Sequence, residues 1–192
     1  MHWQNWVVTL ASSPVLEDLA LDDIDMPLDQ VRRYLMRKFQ ARASMHPRLL
    51  ELTVASVFGD LGYRAYATGY SNDGGVDVIL QGASGVRIGV QVRRRKDAVE
   101  VEQIRAFLGA LVLGGYTRGV YVSASRFSRG AREAARRSTH AIMPIELVDP
   151  DRFFDMLGYA QLKRRPGPED CNITPEKPLK FHGNSHYHLN TL

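Results

Sequence analysis

Four residues in the middle of the chain combine types and spacings that suit metal-dependent chemistry. Asp77 is a lone acid in the apolar run 76–80, and burying a carboxylate costs several kcal/mol unless it is paired or binds a metal. Gln91 and Arg93 lie on the next predicted strand, where alternation of side chains puts both on one face. Glu51 lies among apolar neighbours on an upstream helix. Two carboxylates, an amide oxygen and a cation can therefore meet at one place.

Hydrolysis of a phosphodiester bond needs these kinds of group. Oxygen ligands hold Mg²⁺, the ion polarises a phosphoryl oxygen and activates water, and a nearby cation stabilises the charge that develops at phosphorus. The simpler alternative is an Asp77 that pairs with a nearby arginine while Glu51 is merely exposed. The four residues taken together, rather than Asp77 alone, indicate a hydrolytic site.

The elements that position these residues alternate between helical and strand-like patterns. A meander of three strands is followed by two further strands, and helices separate them, so the order predicts a mixed α/β sheet with helices on both sides. The predicted helices are 28–40, 47–60, 99–113, a helix from Ser125 or Ser128 to 137, and 150–157, and the predicted strands are 63–70, 76–80, 86–94, 118–123 and 142–148.

The composition narrows the class of protein. The 192 residues, 44% of them hydrophobic, suit one compact domain with some extra chain. Cys171 is the only cysteine, which excludes an internal disulfide framework and a multi-cysteine zinc ribbon. The sequence holds no apolar stretch of membrane-spanning length and its start lacks the pattern of a signal peptide, so we expect a cytoplasmic protein without a membrane partner.

Positive charge is concentrated in residues 84–137. This block holds twelve Arg and Lys against four Asp and Glu, whereas the whole chain has a net charge of only +4. A block rich in arginine is typical of a protein that binds the phosphate backbone, although a solvated charged face would look the same.

The segments around these residues resemble one known family. Glu51, Leu61–Tyr63, Ser71–Ile79 and Val90–Arg94 are similar to the Mrr family of restriction-endonuclease-like nucleases, which belongs to the PD-(D/E)xK superfamily. The variant motif of that family reads Glu…Gly-Xaa-Asp…Gln-Xaa-Lys. The resemblance covers about residues 46–157 and includes 104–110 and 119–128. It implies a restriction-endonuclease-like three-layer core, with a central mixed sheet flanked by helices.

The resemblance also implies roles for the site residues. Asp77, Gln91 and the Val92 carbonyl would hold Mg²⁺ or Mn²⁺, and Glu51 would position water or a second metal ion. Arg93 stands where the family has lysine, and because arginine stays charged it cannot act as a base. The chain is then either a DNA endonuclease or an impaired nuclease-like module that binds DNA or scaffolds a defence complex. A protein-interaction subunit without affinity for nucleic acid is a third possibility.

Two basic segments are candidates for DNA binding. One directly follows the motif strand, and the other is a loop that leads into a helix, whose N-terminal N–H groups favour anions. A solvated strand end and ordinary serine capping are the alternatives. The candidate residues are Arg94, Arg95, Lys96, Ser125, Arg126, Ser128, Arg129 and Arg132.

The chain divides into three predicted parts. Residues 1–45 form a helical or irregular extension, residues 46–158 the Mrr-like endonuclease domain, and residues 159–192 a loose tail. We expect DNA to be held through its phosphate backbone with little reading of bases. Cleavage of both strands needs two sites, which favours a homodimer or higher homo-oligomer, and a partner protein could supply targeting. Restriction of foreign DNA or phage defence follows from the resemblance alone.

Overall fold

A five-stranded mixed sheet lies between two layers of helices. The computed structural model describes residues 19–69, 75–82, 85–141 and 143–164. The strands are adjacent in chain order, antiparallel from β1 to β3 and parallel from β3 to β5. They are β1 (Arg64–Ala67), β2 (Val78–Gln81), β3 (Arg87–Arg93), β4 (Arg118–Ser123) and β5 (Ile145–Val148). The helices are α1 (Leu28–Arg37), α2 (Pro47–Asp60), α3 (Val101–Leu113), α4 (Arg129–Ala141) and α5 (Pro150–Arg164), with a 3₁₀ turn at Phe39–Ala43.

Local signals explain where the two helices next to the site begin. Pro47 occupies the first turn of α2, and the His46 side chain accepts a hydrogen bond from the Arg48 amide at 3.1 Å. Before α3, Glu100 and Gln103 form a reciprocal capping box, in which the Glu100 amide donates to the Gln103 side chain at 2.8 Å. The start of each helix is therefore fixed by its own sequence.

Alternation along the strands gives the sheet two apolar faces. Val78, Val90 and Val120 lie on one face and join the core built with α1, α2 and α5. Ile79 and Tyr121 lie on the other face, in the core built with α3 and α4. This division confirms the predicted three-layer α/β architecture.

Two glycines bring α3 close to the sheet. Gly89 and Gly119 are neighbours across β3 and β4, and a Cβ atom at either position would overlap the side chain of Leu111 on α3. At Gly119 the added atom would also lie 2.9 Å from a ring carbon of Phe107. The absence of side chains here lets α3 pack directly on the two strands that carry the candidate site.

The described residues of the predicted extension 1–45 do not form a separate part of the fold. Val31, Leu35 and Met45 are fully buried in the same core as Leu49 of α2. Helix α1 ends at Arg37 rather than at residue 40, because the chain turns into the 3₁₀ segment that follows. The described part of the predicted extension thus belongs to the same three-layer body, while residues 1–18 lie outside the described part of the chain.

The last helix is longer than predicted. We expected a loose tail from residue 159, but α5 continues through Gly158 to Arg164. Ala160 is fully buried, and Gly158 packs near Met36, so tertiary contacts keep this turn helical. Residues 165–192 lie outside the described part of the chain. Among the described helices, none has the length and apolar character needed to cross a membrane.

Candidate active site

Asp77 directly precedes β2, and both its main-chain amide and its carbonyl are hydrogen-bonded. Its amide donates to the Val90 carbonyl at 2.8 Å, and its carbonyl accepts from the Thr68 amide at 2.9 Å. The strand begins two residues later than predicted, at Val78. The Asp77 carboxylate accepts a hydrogen bond from the Val92 amide at 2.6 Å. Two of the predicted site residues are therefore in direct contact.

Gln91 lies next to Asp77 on the adjoining strand. The pairing of Val78 with Val90 places the two residues side by side across β2 and β3. The Gln91 amide also lies against Gly75, where a Cβ atom would be 3.4 Å from Gln91 Nε2. Gly75 has a positive φ of 95°, which glycine adopts without strain. The turn before Asp77 therefore leaves room for the glutamine side chain.

Glu51 reaches the same place from α2. Its carboxylate forms an ion pair with Arg48 at 3.0 Å, and both side chains are mostly buried. Burial raises the pKa of Glu51, the hydrogen bond from Arg48 partly offsets this effect, and the negative charge of Asp77 raises the pKa further. The influence of Asp77 means that the two carboxylates lie within electrostatic range of each other.

Arg93 lies on the same face of β3 as Gln91, as alternation predicted, and it interacts with Tyr121 of β4, which is not among the predicted site residues. Tyr121 pairs with Gln91 in the parallel register. Burial raises the pKa of Tyr121, the positive charge of Arg93 and hydrogen bonding from its side chain lower it, and Asp77 raises it. A tyrosine in an otherwise apolar strand was the available signal, but its position beside Arg93 depends on the β3–β4 register.

The donor set at this site fits a hard divalent cation. Asp77 and Glu51 supply carboxylate oxygens, Gln91 an amide oxygen and Val92 a main-chain carbonyl, which are the ligand types that Mg²⁺ and Mn²⁺ accept. Within the described ranges there is no cluster of three or more His, Cys, Asp or Glu side chains. A metal at this site would therefore depend on the amide and the carbonyl as well as on the two acids.

The two predicted basic segments lie side by side next to the site. The Val99 amide donates to the Arg126 carbonyl at 2.9 Å, and the Ser125 hydroxyl donates to the Asp97 carbonyl at 2.6 Å. These bonds join the loop after β3 to the loop after β4. The exposed basic side chains at the paired loops and the start of α4 include Arg95, Lys96, Arg126 and Arg129. An open pocket of about 300 Å³ lies between Arg93, Arg95, the start of α3 and Ser125.

Other predicted DNA contacts have partners within the protein. Arg94 donates to the Ala43 carbonyl at 3.0 Å, and Ser125 is buried. The Ser128 hydroxyl accepts from the Ala131 amide at 3.2 Å and so caps α4. Arg132 is half exposed and lies 3.8 Å from Asp149. These bonds give Arg94, Ser125 and Ser128 structural roles at the rim of the site.

Two further arginines of α4 share one acidic neighbour. Arg136 and Arg137 both bind Glu133, at 2.9 and 2.8 Å. Their hydrogen bonds, that of Arg136 first, lower the pKa of Glu133 to about 2. Glu133 therefore offsets one of these two positive charges.

Comparison with known proteins identifies the family. The family model of the Mrr catalytic domain, described as a restriction endonuclease, matches residues 42–157. The chain belongs to this family. The match confirms the resemblance that the motif residues predicted, and it extends over α2 to α5 and all five strands.

Individual relatives agree with this assignment. The chain is 30% identical over 159 residues to the type IV methyl-directed restriction enzyme EcoKMrr of Escherichia coli K12, a match that covers 77% of this chain and 51% of that protein. It is 32% identical over 128 residues to the uncharacterized protein y4cE of Sinorhizobium fredii, covering 59% and 32% of the two chains. The chain therefore spans between a third and a half of these relatives.

A solved structure shows the same fold. The DNA modification-dependent restriction endonuclease AspBHI superimposes with a TM-score of 0.50 at 19% identity, over 79% of this chain and 40% of that protein. The predicted restriction-endonuclease-like fold is thereby confirmed. The roles of the individual site residues remain predictions.

Proposed function

We propose that this protein is a metal-dependent DNA endonuclease that hydrolyses phosphodiester bonds with Mg²⁺ or Mn²⁺. The observation that carries the proposal is the contact between the Asp77 carboxylate and the Val92 amide at 2.6 Å, with Gln91 alongside and Glu51 in electrostatic range. This contact joins the start of β2 to β3 next to the paired basic loops, which supports a shared metal site.

Each side chain has a distinct task in the proposed reaction. A divalent ion bound by Asp77, Gln91 and the Val92 carbonyl would polarise the scissile phosphate and lower the pKa of a water molecule. Arg93 donates hydrogen bonds to the phosphate and stabilises the negative charge that grows on its oxygens. Glu51, whose pKa is raised, orients the attacking water and accepts its proton.

The basic loops would hold the DNA backbone. Arg95, Lys96, Arg126 and Arg129 are exposed around the site. Contacts of this kind position a duplex without reading its sequence, and their strength falls as salt rises. We therefore propose that the described domain binds DNA through phosphates and contributes little sequence specificity of its own.

The relatives suggest the kind of DNA that is cut. EcoKMrr is named as methyl-directed and AspBHI as modification-dependent. We propose that this protein acts in restriction of foreign DNA, including phage DNA, with modified DNA as the first substrate to test. Because two strands must be cut by single-site subunits, we also propose a homodimer, with a partner protein or further chain as the source of targeting.

Plasmid cleavage tests the proposal. Purified protein is incubated with methylated and unmodified supercoiled plasmid in Mg²⁺, in Mn²⁺ and in EDTA, beside the variant Asp77→Ala. We expect nicked and linear products in the presence of either metal and none with EDTA or with Asp77→Ala. Cleavage that persists in EDTA, or an Asp77→Ala variant as active as the native protein, contradicts the proposed chemistry.

One observation favours a second function. Arg93 stands where the family motif has lysine, so the domain could bind DNA without cutting it. The variant Arg93→Lys separates the two functions. A large gain in cleavage would identify an impaired site, whereas a loss would show that the site is adapted to arginine.

A further inference from the structure

A buried hydroxyl lies behind the proposed site. Tyr121 is fully buried in β4, and its ring makes edge contacts with Phe107 and Phe127 at centroid distances of 5.4 and 5.8 Å. Its hydroxyl has no well-formed hydrogen bond to any residue that the structure describes. Burying a hydroxyl in this way is costly, and phenylalanine would fill the same aromatic site without that cost.

The hydroxyl lies beside the cation of the site. Tyr121 pairs with Gln91 across β3 and β4, and Arg93 follows two residues later on the same face of β3. The charge of Arg93 acts on the tyrosine hydroxyl. Arg93 Nε is also buried and, within the described ranges, has no hydrogen-bond partner. The two buried groups therefore interact, but neither the Tyr121 hydroxyl nor Arg93 Nε has a well-formed hydrogen bond within the described ranges.

We propose that Tyr121 is a positioning residue that orients Arg93 toward the scissile phosphate, an inference that rests on the nuclease function proposed above. The Tyr121 oxygen accepts a hydrogen bond from the Arg93 guanidinium when the phosphate is bound. This bond fixes the plane of the guanidinium, so that its remaining N–H groups meet two phosphate oxygens together.

The need for such a residue follows from the arginine itself. A lysine presents a compact charge with rotating donors, whereas an arginine is longer and must have its plane aligned to be effective. At Arg93 the main chain is held, since its carbonyl accepts from the Ala124 amide at 2.7 Å. The end of the side chain needs its own anchor, and Tyr121 lies at the required place.

The substitution Tyr121→Phe removes only the hydroxyl. For the loss of one hydrogen bond to a charged group, we expect kcat for plasmid cleavage to fall about 10- to 100-fold. The KM and the affinity for DNA in EDTA should stay within about twofold of native values. The melting temperature should change little, because the Tyr121 hydroxyl makes no well-formed hydrogen bond to the described residues. Tyr63→Phe, which removes a hydroxyl from the opposite core, is the matched control and should leave kcat unchanged.

A second measurement separates a positioning role from a structural one. The ¹⁵N-coupled Nε–H resonance of Arg93, assigned by its loss in Arg93→Lys, is recorded with a short duplex bound in EDTA. We expect slow proton exchange in the native protein and faster exchange in Tyr121→Phe.

The outcomes are distinguishable. A native enzyme that cuts and a Tyr121→Phe variant that cuts equally fast would overturn the inference and leave the proposed function standing. A fall in kcat with an unchanged Arg93 resonance would also overturn it, since Tyr121 would then act by another route. A native protein that does not cut plasmid with either metal would remove both proposals together.

Discussion

Replacement of Asp77 by asparagine separates the chemistry of the site from the stability of the fold. The variant keeps the shape of the side chain and an oxygen that can accept from the Val92 amide, but it removes the negative charge. A hydrogen bond to a charged group contributes about 1.5–3 kcal/mol and a neutral one about 0.5–1.5 kcal/mol. The substitution therefore costs about 1 kcal/mol, and relief of repulsion with Glu51 reduces that cost.

The effect on activity should be far larger. Loss of the charged ligand removes several kcal/mol of stabilisation, and about 4 kcal/mol corresponds to about 10³-fold in rate. Metal binding should fail as well. Saturating Mg²⁺ at 100 times its Kd stabilises a protein by about 2.7 kcal/mol, which raises the melting temperature of a chain of this size by about 5–10 °C.

The assay has two parts. Initial rates of plasmid nicking are measured for the native protein, Asp77→Asn and Asp155→Asn, an exposed acid of α5 that serves as the control. Melting temperatures are measured in EDTA and in Mg²⁺. We expect Asp77→Asn to melt within about 4 °C of the native protein in EDTA and to show neither nicking nor a shift with Mg²⁺. A variant that cuts within tenfold of the native rate, or that is still stabilised by Mg²⁺, would refute the assignment of Asp77 as a ligand.

Three further predictions concern the pH dependence, the core and the DNA surface. Folding raises the pKa of Glu51, so the free energy of unfolding falls as pH rises from the unfolded-state pKa to the folded-state pKa and Glu51 ionises. The variant Glu51→Gln should therefore have a higher melting temperature than the native protein at pH 7.5 in EDTA, and its melting temperature should depend less on pH. A lower melting temperature would contradict this. Gly119→Ala forces a methyl group into Leu111 and should cost about 1–3 kcal/mol in urea unfolding, whereas Gly109→Ala, an open helical position, should be neutral or stabilising. Arg95→Ala should reduce the slope of log Kd against log salt by about 0.9 in DNA-binding titrations, and an unchanged slope would show that Arg95 makes no phosphate contact.

The arrangement of the candidate site follows largely from strand periodicity. A period of two puts Gln91 and Arg93 on one face, and the short turn between β2 and β3 brings Asp77 beside them. Both relations are local, since they depend on the alternation of one strand and the pairing of a hairpin. For the same reason the sequence predicted the order of strands and helices. Several ends differ, since β2 begins two residues later than predicted, α4 continues to Ala141 instead of ending at residue 137, and α1 and α5 end elsewhere.

Contacts between distant segments were not predictable in this way. Arg94 donates to the Ala43 carbonyl, and Arg42 donates to the Ala124 carbonyl at 3.3 Å, so two arginines cross between the 3₁₀ turn and the loops of the site. Such bonds join residues more than 50 positions apart, and nothing in either local pattern specifies the other. They make the segment before α2 part of the scaffold that holds the site.

The exchange of lysine for arginine limits which group can move a proton. A guanidinium does not act as a base in proteins, so the proposed contribution of Arg93 is electrostatic. Glu51 is the carboxyl group in electrostatic contact with Asp77, and its burial raises its pKa, which favours a role as proton acceptor in the proposed reaction. Burial and the charge of Asp77 make the ionised form of Glu51 unfavourable for the fold. The same two features raise the affinity of Glu51 for a proton, as its proposed role as a base requires. Under the proposed function, Arg93 on β3 is the cation that Tyr121 aligns, and Glu51 on α2 is the proton acceptor.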